Sequence, residues 1–282
     1  MKTYKEFKII TEPFDVENVS GMLWQLNIDG INEFDNYLSV FAGESKNISS
    51  DDIKNILNKL VDEKIIKSFS VEEKTEEEKN WNEEYEKNVK VIEVNDKLVI
   101  KPSFKDYNSK PGQLIVNIDP KMSFGTGEHA TTKLVLRFVE KYVNGGENVL
   151  DVGSGTGILG ITSVLLGASS ALCVDNDEWC ELNGKENVKA NSLTEKVEIK
   201  LGELKDIDKT GFDLITANIN KHILIDIAGE LKKKIKKTGI LILSGLLIVD
   251  ESDILNLYTG LGFQLIEKST MDEWISLVLQ FH

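Results

Sequence analysis

The chain has 282 residues, 41% of them hydrophobic and 28% charged, the balance of an ordinary globular protein with length for one large domain or two modest ones. A formal net charge of -14 excludes the basic footprint that nonspecific nucleic-acid binding needs, and it suits either encounter with a basic partner or simple solubility. Two cysteines and three histidines exclude a disulfide framework and argue against a zinc site.

Residues 1–72 read as a small α+β unit. Residues 4–10 alternate like a strand, and 15–26 carry Val16, Val19, Met22, Leu23 and Leu26 on one helical face. Two strands, 31–34 and 38–41, flank a turn at Asp35-Asn36. Ser49-Ser50-Asp51-Asp52 starts a second helix with Ile53, Ile56, Leu57, Leu60 and Val61 inward, and 65–71 is a last strand. The order β-α-β-β-α-β is that of a ferredoxin-like domain. With no evident catalytic group of its own, it is expected to recognise a substrate.

Residues 73–118 read as a charged linker and a hairpin. The stretch 72–88 is highly charged, with Trp81 and Tyr85 spaced to pin one helical face. Strands follow at 89–94 and 97–100 about a turn at Asn95-Asp96, and again at 113–118.

Residues 119–282 alternate helix and strand. Helices are expected at 131–143, with Thr131 or Thr132 as cap, and at 158–166, 177–191, 222–235 and 250–261. Strands are expected at 148–152, 171–174, 197–201, 212–217 and 240–244, with a closing hairpin of 263–268 and 274–281. This predicts an α/β fold, a doubly wound parallel sheet with an antiparallel hairpin at its end. No apolar run reaches membrane-spanning length, and residues 1–6 lack the apolar core of a secretory signal, so a cytoplasmic location is expected.

The strand 148–152 runs directly into Gly153-Ser154-Gly155-Thr156-Gly157 and then a helix. Glycines there permit positive φ and let a ligand lie against the backbone. Asp175, ending the next strand, can accept hydrogen bonds from both hydroxyls of a ribose. Gly155, Gly157 and Gly160 also satisfy the dinucleotide fingerprint, so an NAD-dependent oxidoreductase stands beside an S-adenosylmethionine-dependent methyltransferase. Three features favour the second. Asp151 precedes the first glycine by two residues, a poor neighbour for a pyrophosphate but able to hold the loop or help anchor an ammonium. The GxGxG spacing is typical of methyltransferases. The terminal hairpin closes a seven-stranded sheet of methyltransferase type.

Ahead of the first helix of this region lies Asp119-Pro120-Lys121-Met122-Ser123-Phe124-Gly125-Thr126-Gly127-Glu128-His129-Ala130-Thr131-Thr132. This run, with VLDVGSGTGILGI, VDNDE and Ala217-Asn218-Ile219, resembles the ribosomal protein L11 methyltransferase family (PrmA). Asn80-Trp81, Ile100-Lys101-Pro102-Ser103, Leu243-Ser244-Gly245 and Glu273-Trp274 extend the resemblance over about residues 80–282. Lys121, Ser123, Ala130 and Asn220 depart from the family pattern, and Asn220 with Lys221 lies near where the methyl acceptor would arrive.

The resemblance implies a class I methyltransferase (Rossmann-like) domain that uses S-adenosylmethionine and N-methylates lysine side chains or the N-terminal amine of a basic large-subunit ribosomal protein. No direct nucleic-acid or membrane partner is expected. By the family pattern Thr132, Gly153, Asp175 and Asn218 contact the cofactor or line its pocket, and loop geometry adds Gly155. Asn218 is also the expected catalytic residue, its side-chain carbonyl orienting a neutral amine, with a helix N-cap as its competing role. Another protein lysine, a small-molecule acceptor or a noncatalytic binding role are the alternatives.

Overall fold

In the computed structural model, which describes residues 3–77, 89–119, 121 and 123–282, the chain divides into two compact units, Met1–Asn88 and Val89–His282. The first begins with β1 (Thr3–Glu12), α1 (Val16–Leu23) and the hairpin β2 (Gly30–Phe34) and β3 (Tyr37–Gly43), turning at Asp35-Asn36 as expected. It continues with α2 (Ser50–Asp62) and β4 (Ser68–Glu77). The helix starts are those written in the sequence. Asp15 accepts the Asn18 N–H at 3.1 Å, and Ser49 and Asp52 form a reciprocal capping box. Ile53, Ile56, Leu57 and Leu60 on α2 close over Phe7, Ile9, Leu38, Val40 and Ala42, the alternate residues of β1 and β3 that face inward. The antiparallel sheet has the order β2-β3-β1-β4.

One boundary differs from the sequence reading. Residues 72–77 are strand, not linker, and β4 pairs with β1 from Ser68 opposite Glu12 to Glu77 opposite Thr3. Backbone pairing with β1 supplies what the charged side chains do not, and Lys5 pairs with Glu73 at 2.8 Å across the two strands. Charge on an edge strand also discourages pairing with a further chain. Trp81, Tyr85 and Asn80 lie outside the described residues.

In the second unit a small sheet joins β5 (Ile92–Glu93), β6 (Leu98–Lys101) and β7 (Leu114–Asn117). Asn95 accepts the N–H groups of Lys97 and Leu98 and so makes the β5–β6 turn. Val94, Leu98, Ile100, Val116 and Ile118 bury against the same core as the helices that follow. The hairpin read as part of a linker therefore belongs to this unit.

The main sheet is seven-stranded in the order β10-β9-β8-β11-β12-β14-β13. Its strands are β8 (Asn148–Val152), β9 (Ser170–Asp175), β10 (Val197–Leu201), β11 (Phe212–Asn218), β12 (Ile235–Leu247), β13 (Phe263–Met271) and β14 (Trp274–Phe281). Only β14 runs against its neighbours. The strands are continuous apolar runs because both faces are covered: Val149, Cys173 and Leu214 face one core, Leu150, Val174 and Ile215 the other. The helices are α3 (Ala130–Tyr142), α4 (Ile158–Leu165), α5 (Glu178–Ala190), α6 (Lys221–Asp226), α7 (Ala228–Lys234) and α8 (Glu251–Gly260). The single helix expected over 222–235 is two, broken at Ile227, and β12 starts at Ile235, earlier than the strand read at 240–244.

One helix face fixes the segment that leads to α3. Asn183, Asn187 and Asn191 stand four residues apart on α5 and its C-cap, so they share a face. The side chain of Asn191 donates to the Asn117 carbonyl at 2.7 Å and accepts its N–H at 2.9 Å. Asn187 accepts the Asp119 N–H at 2.9 Å and donates to the Thr156 carbonyl at 3.0 Å, and Asn183 donates to the Asp119 carbonyl at 3.0 Å. The ladder thus ties β7 and its exit to the glycine loop.

Asn187 is fully buried. Asn187→Ala strands the Asp119 N–H and the Thr156 carbonyl, so unfolding free energy falls by about 2–4 kcal/mol. Denaturant titration of the variant measures this; a loss of under about 0.5 kcal/mol means that the ladder contributes little.

Candidate functional site

β8, β9 and β11 run parallel, and their carboxyl ends meet at one edge of the sheet. There the five residues singled out in sequence gather. The Gly155 N–H donates to Asp175 Oδ2 at 2.8 Å, which joins the glycine turn after β8 to the last residue of β9. Asn218 ends β11, and its Nδ2 donates to Thr132 Oγ1 in the first turn of α3 at 3.4 Å. Gly153 is solvent-exposed and adopts φ +69°, and Gly155 adopts φ +54°.

The turn differs from expectation in what fills it. A Cβ on Gly155 would stand closer than 3.0 Å to the Phe124 carbonyl oxygen, and one on Gly153 would be as close to Ile219 Cγ2. The space that the glycines open is therefore taken, at these two points, by the chain's own segments. The 123–129 loop docks through Thr156, whose N–H donates to the Phe124 carbonyl at 2.9 Å and whose hydroxyl donates to the Gly125 carbonyl at 2.6 Å. Thr156 was not singled out in sequence, because a threonine between two glycines carries no signal of its distant partner.

All five amides of the turn are engaged. Gly153 and Ser154 donate to the Val174 carbonyl, Gly155 to Asp175, Thr156 to Phe124 and Gly157 to Ser154. A pyrophosphate site needs such amides aimed at the ligand. Their internal use disfavours the dinucleotide reading of the same glycines.

The residues present fit S-adenosylmethionine. Asp175 is half-exposed and takes N–H groups from Gly155 and Asp177, leaving lone pairs on a carboxylate for ribose hydroxyls. Ser154 Oγ and Asn218 Oδ1 are buried without a hydrogen-bond partner, and so is Asp151 Oδ2 beneath the turn. Ser154 Oγ and Asn218 Oδ1 can therefore accept hydrogen bonds from a polar ligand.

Asp151 is fully buried, and its contacts go to β11 and α4, not to the turn that it was expected to hold. Its Oδ1 accepts the Thr216 hydroxyl at 2.7 Å and it accepts the Gly160 N–H, which binds β8 to β11 and to α4. Burial pushes its carboxyl up to about 7 in spite of these two hydrogen bonds, and the charge of Asp175 adds to the rise.

α3 is capped by His129, not by Thr131 or Thr132, both of which are buried. His129 Nδ1 lies 2.8 Å from Thr131 Oγ1 and accepts the Thr131 N–H at 3.3 Å. The imidazole also packs against Trp274 in a T-shaped pair, ring centres 4.9 Å apart. Together with Ser123, Phe124, Glu128, Asp272 and Glu273 they line a cavity of about 500 Å³ against the start of α3. Asn218 is not a helix cap; Asn220 holds that position for α6, exposed and without a side-chain bond. Lys221 faces Asp250 and Asp253, at 2.9 and 2.7 Å, and is committed to them. Of the departures from the family pattern, Lys121 pairs with Glu186, and the Ser123 hydroxyl donates to the Trp179 carbonyl at 3.3 Å.

Over residues 3–282 the chain matches the family described as Ribosomal protein L11 methyltransferase (PrmA). A ribosomal protein L11 methyltransferase of Acetivibrio thermocellus is 37% identical over 204 residues, 72% of this chain and 65% of the relative. One of Desulforamulus reducens is 35% identical over 199 residues, 71% of this chain and 65% of the relative. The chain thus spans about 65% of the length of these curated relatives. The crystal structure of a ribosomal protein L11 methylase from Lactobacillus delbrueckii subsp. bulgaricus is similar at TM-score 0.64 and 31% identity, covering 68% of this chain and 99% of that one. Among the described residues no helix is long and apolar enough to cross a membrane, and no group of three or more His, Cys, Asp or Glu could hold a metal.

The raised Asp151 pKa has a signed consequence. Folded protein keeps this proton to about pH 7, whereas an ordinary carboxyl releases it near 3.8. The native state then binds more protons, so this group's contribution is present at low pH and is lost as pH climbs through that window. Asp151→Asn keeps an acceptor for Thr216 and removes the titration. Denaturation midpoints at about pH 5 and pH 8 should fall further for the wild type than for the variant; parallel changes in the two proteins refute the assignment.

Proposed function

Because the chain belongs to the ribosomal protein L11 methyltransferase family, we propose that it is an S-adenosylmethionine-dependent methyltransferase that N-methylates lysine side chains or the N-terminal amine of ribosomal protein L11. Membership rests on the match over residues 3–282 and on the relatives' names. The observation that carries the chemistry is Asn218: its amide nitrogen is held by Thr132 while its carbonyl oxygen is buried and unpartnered. An amine nitrogen has the donor that this oxygen lacks.

Asp175 would hold the ribose, the turn at Gly153 and Gly155 would line the path of the cofactor, and Thr132 would offer its hydroxyl to the cofactor's amino-acid end. When bound, S-adenosylmethionine supplies a methyl group on a positively charged sulfur that is open to in-line attack. The chain's own residues must present an uncharged amine to it. A lysine has a reference pKa near 10.4, so neutralising it at pH 7 costs roughly 4–5 kcal/mol. The cavity beside the start of α3 does not include Asn218 in its lining; as an entry route, its Glu128, Asp272 and Glu273 would attract the cationic amine. Phe124, His129 and Trp274 strip its water, which disfavours the charge. Asn218 Oδ1 then accepts one N–H and points the lone pair. Orientation of this kind is worth about 10²-fold in rate.

The antiparallel β-α-β-β-α-β unit of residues 3–77 is, in this reading, a ferredoxin-like substrate-recognition domain. The net charge of -14 suits a basic ribosomal protein in the cytoplasm, with no direct role for nucleic acid or membrane.

Incubation of purified L11 with the protein and S-adenosylmethionine, followed by mass spectrometry, should show added methyl groups; an unchanged mass overturns the acceptor. Asn218→Ala should lower kcat by about 10²-fold, a loss larger than any weakening of S-adenosylhomocysteine binding. Calorimetric binding of S-adenosylhomocysteine but not NAD is expected, and the reverse would favour the oxidoreductase.

A further inference from the structure

We infer that Ile219 is a positioning residue, wedged between Gly153 and Gly245, that sets the direction of the Asn218 side chain. The role of Asn218 rests on the functional reading above, but the wedge itself does not.

Ile219 follows Asn218 directly at the end of β11 and is gripped on two sides. On one side its Cγ2 occupies the place that a Cβ of Gly153 would take. On the other, a Cβ on Gly245 would lie 2.5 Å from the Ile219 carbonyl oxygen, 2.8 Å from its carbonyl carbon and 2.9 Å from its nitrogen. Real Cβ atoms essentially never come within 3.0 Å of such neighbours: at Gly245 the neighbour is backbone that cannot yield, and at Gly153, where it is a side-chain methyl, φ +69° adds to the demand for glycine. Gly245 also adopts φ +78°, in the left-handed region. The Ile219 N–H donates to the Ser244 carbonyl at 3.2 Å, which ties the segment to β12. The residue just past β8 and a residue within β12 therefore meet on Ile219, the first residue past β11.

Asn218 has little else to hold it. Its one side-chain hydrogen bond, to Thr132, is long at 3.4 Å, and its oxygen has none. The backbone on its amino side is fixed by the sheet, where Asn218 pairs with Ser244. On its carboxyl side the fixed point is Ile219. The isoleucine is β-branched and stiff at χ1, so a clamp on Cγ2 is a clamp on the backbone.

The two contacts differ in kind, which makes the inference testable. Gly153 meets a side-chain methyl that can be deleted, whereas Gly245 meets backbone that cannot. Ile219→Ala should therefore restore S-adenosylhomocysteine affinity lost in Gly153→Ala, in part because φ stays positive there, but should not restore Gly245→Ala. Equal rescue, or none in either background, overturns the wedge. The Asn218 side-chain amide resonances, identified by their loss in Asn218→Ala, should shift in Ile219→Ala and stay in place in Ile219→Val, which keeps Cβ and Cγ2. Unmoved resonances in Ile219→Ala overturn the positioning role even if the protein proves inactive on L11. With an active wild type, Ile219→Ala should lower kcat about tenfold or more, with KM for S-adenosylmethionine within about threefold and the melting temperature held. Ile219→Val should recover most of the lost rate. An unchanged kcat in Ile219→Ala with L11 as acceptor refutes the inference alone, whereas an inactive wild type refutes only the functional reading.

Discussion

Three glycines with no room for a Cβ hold the candidate site of this protein together. The Phe124 carbonyl rests where a side chain on Gly155 would begin, the Ile219 methyl where one on Gly153 would begin, and the Ile219 backbone beside Gly245. The Phe124 segment follows β7, Ile219 follows β11 and Gly245 lies within β12, so the parts concerned are far apart in the chain. Their convergence on the turn after β8 brings Thr132 to Asn218, and the same turn donates to Asp175. A methyl group at any of the three positions would push one of these segments away.

The same turn decides the electrostatics. Its five amides satisfy the Val174, Phe124 and Ser154 carbonyls and Asp175, so the loop presents little of the positive potential that a dinucleotide phosphate would seek. What remains for a ligand are oxygens: Asp175 with spare lone pairs, Ser154 Oγ and Asn218 Oδ1. Beneath the turn, Asp151 is a buried carboxyl that binds β8 to β11 and α4. An oxygen-rich edge favours hydroxyl and amine donors, in keeping with the family to which the chain belongs.

Periodicity carried much of the architecture. Alternating residues in β1 and β3 and the 3–4 spacing of Ile53, Ile56, Leu57 and Leu60 in α2 were sufficient to place the first unit, because each element shows one apolar face to one core. The capping box at Ser49 and Asp52 acts within one turn and is equally local. Residues 72–77 were misread for the opposite reason: their strand state comes from β1, some 60 or more residues away in sequence, and nothing in EEKTEE announces that partner. The Asn183, Asn187 and Asn191 ladder was not read from the sequence, because its meaning needed the backbone of 117–119 beside it.

By itself the sequence determined that a strand, a glycine turn and a helix form in order and that an acid ends the next strand. These follow from local backbone preference and short motifs. Only the tertiary structure decided what occupies the glycine spaces, that His129 and not a threonine caps α3, that Asp151 lies buried under the turn, and that Lys221 is committed to Asp250 and Asp253. Each of those depends on a partner brought close by sheet order. Sheet order is a long-range property, set by which apolar faces can be buried together.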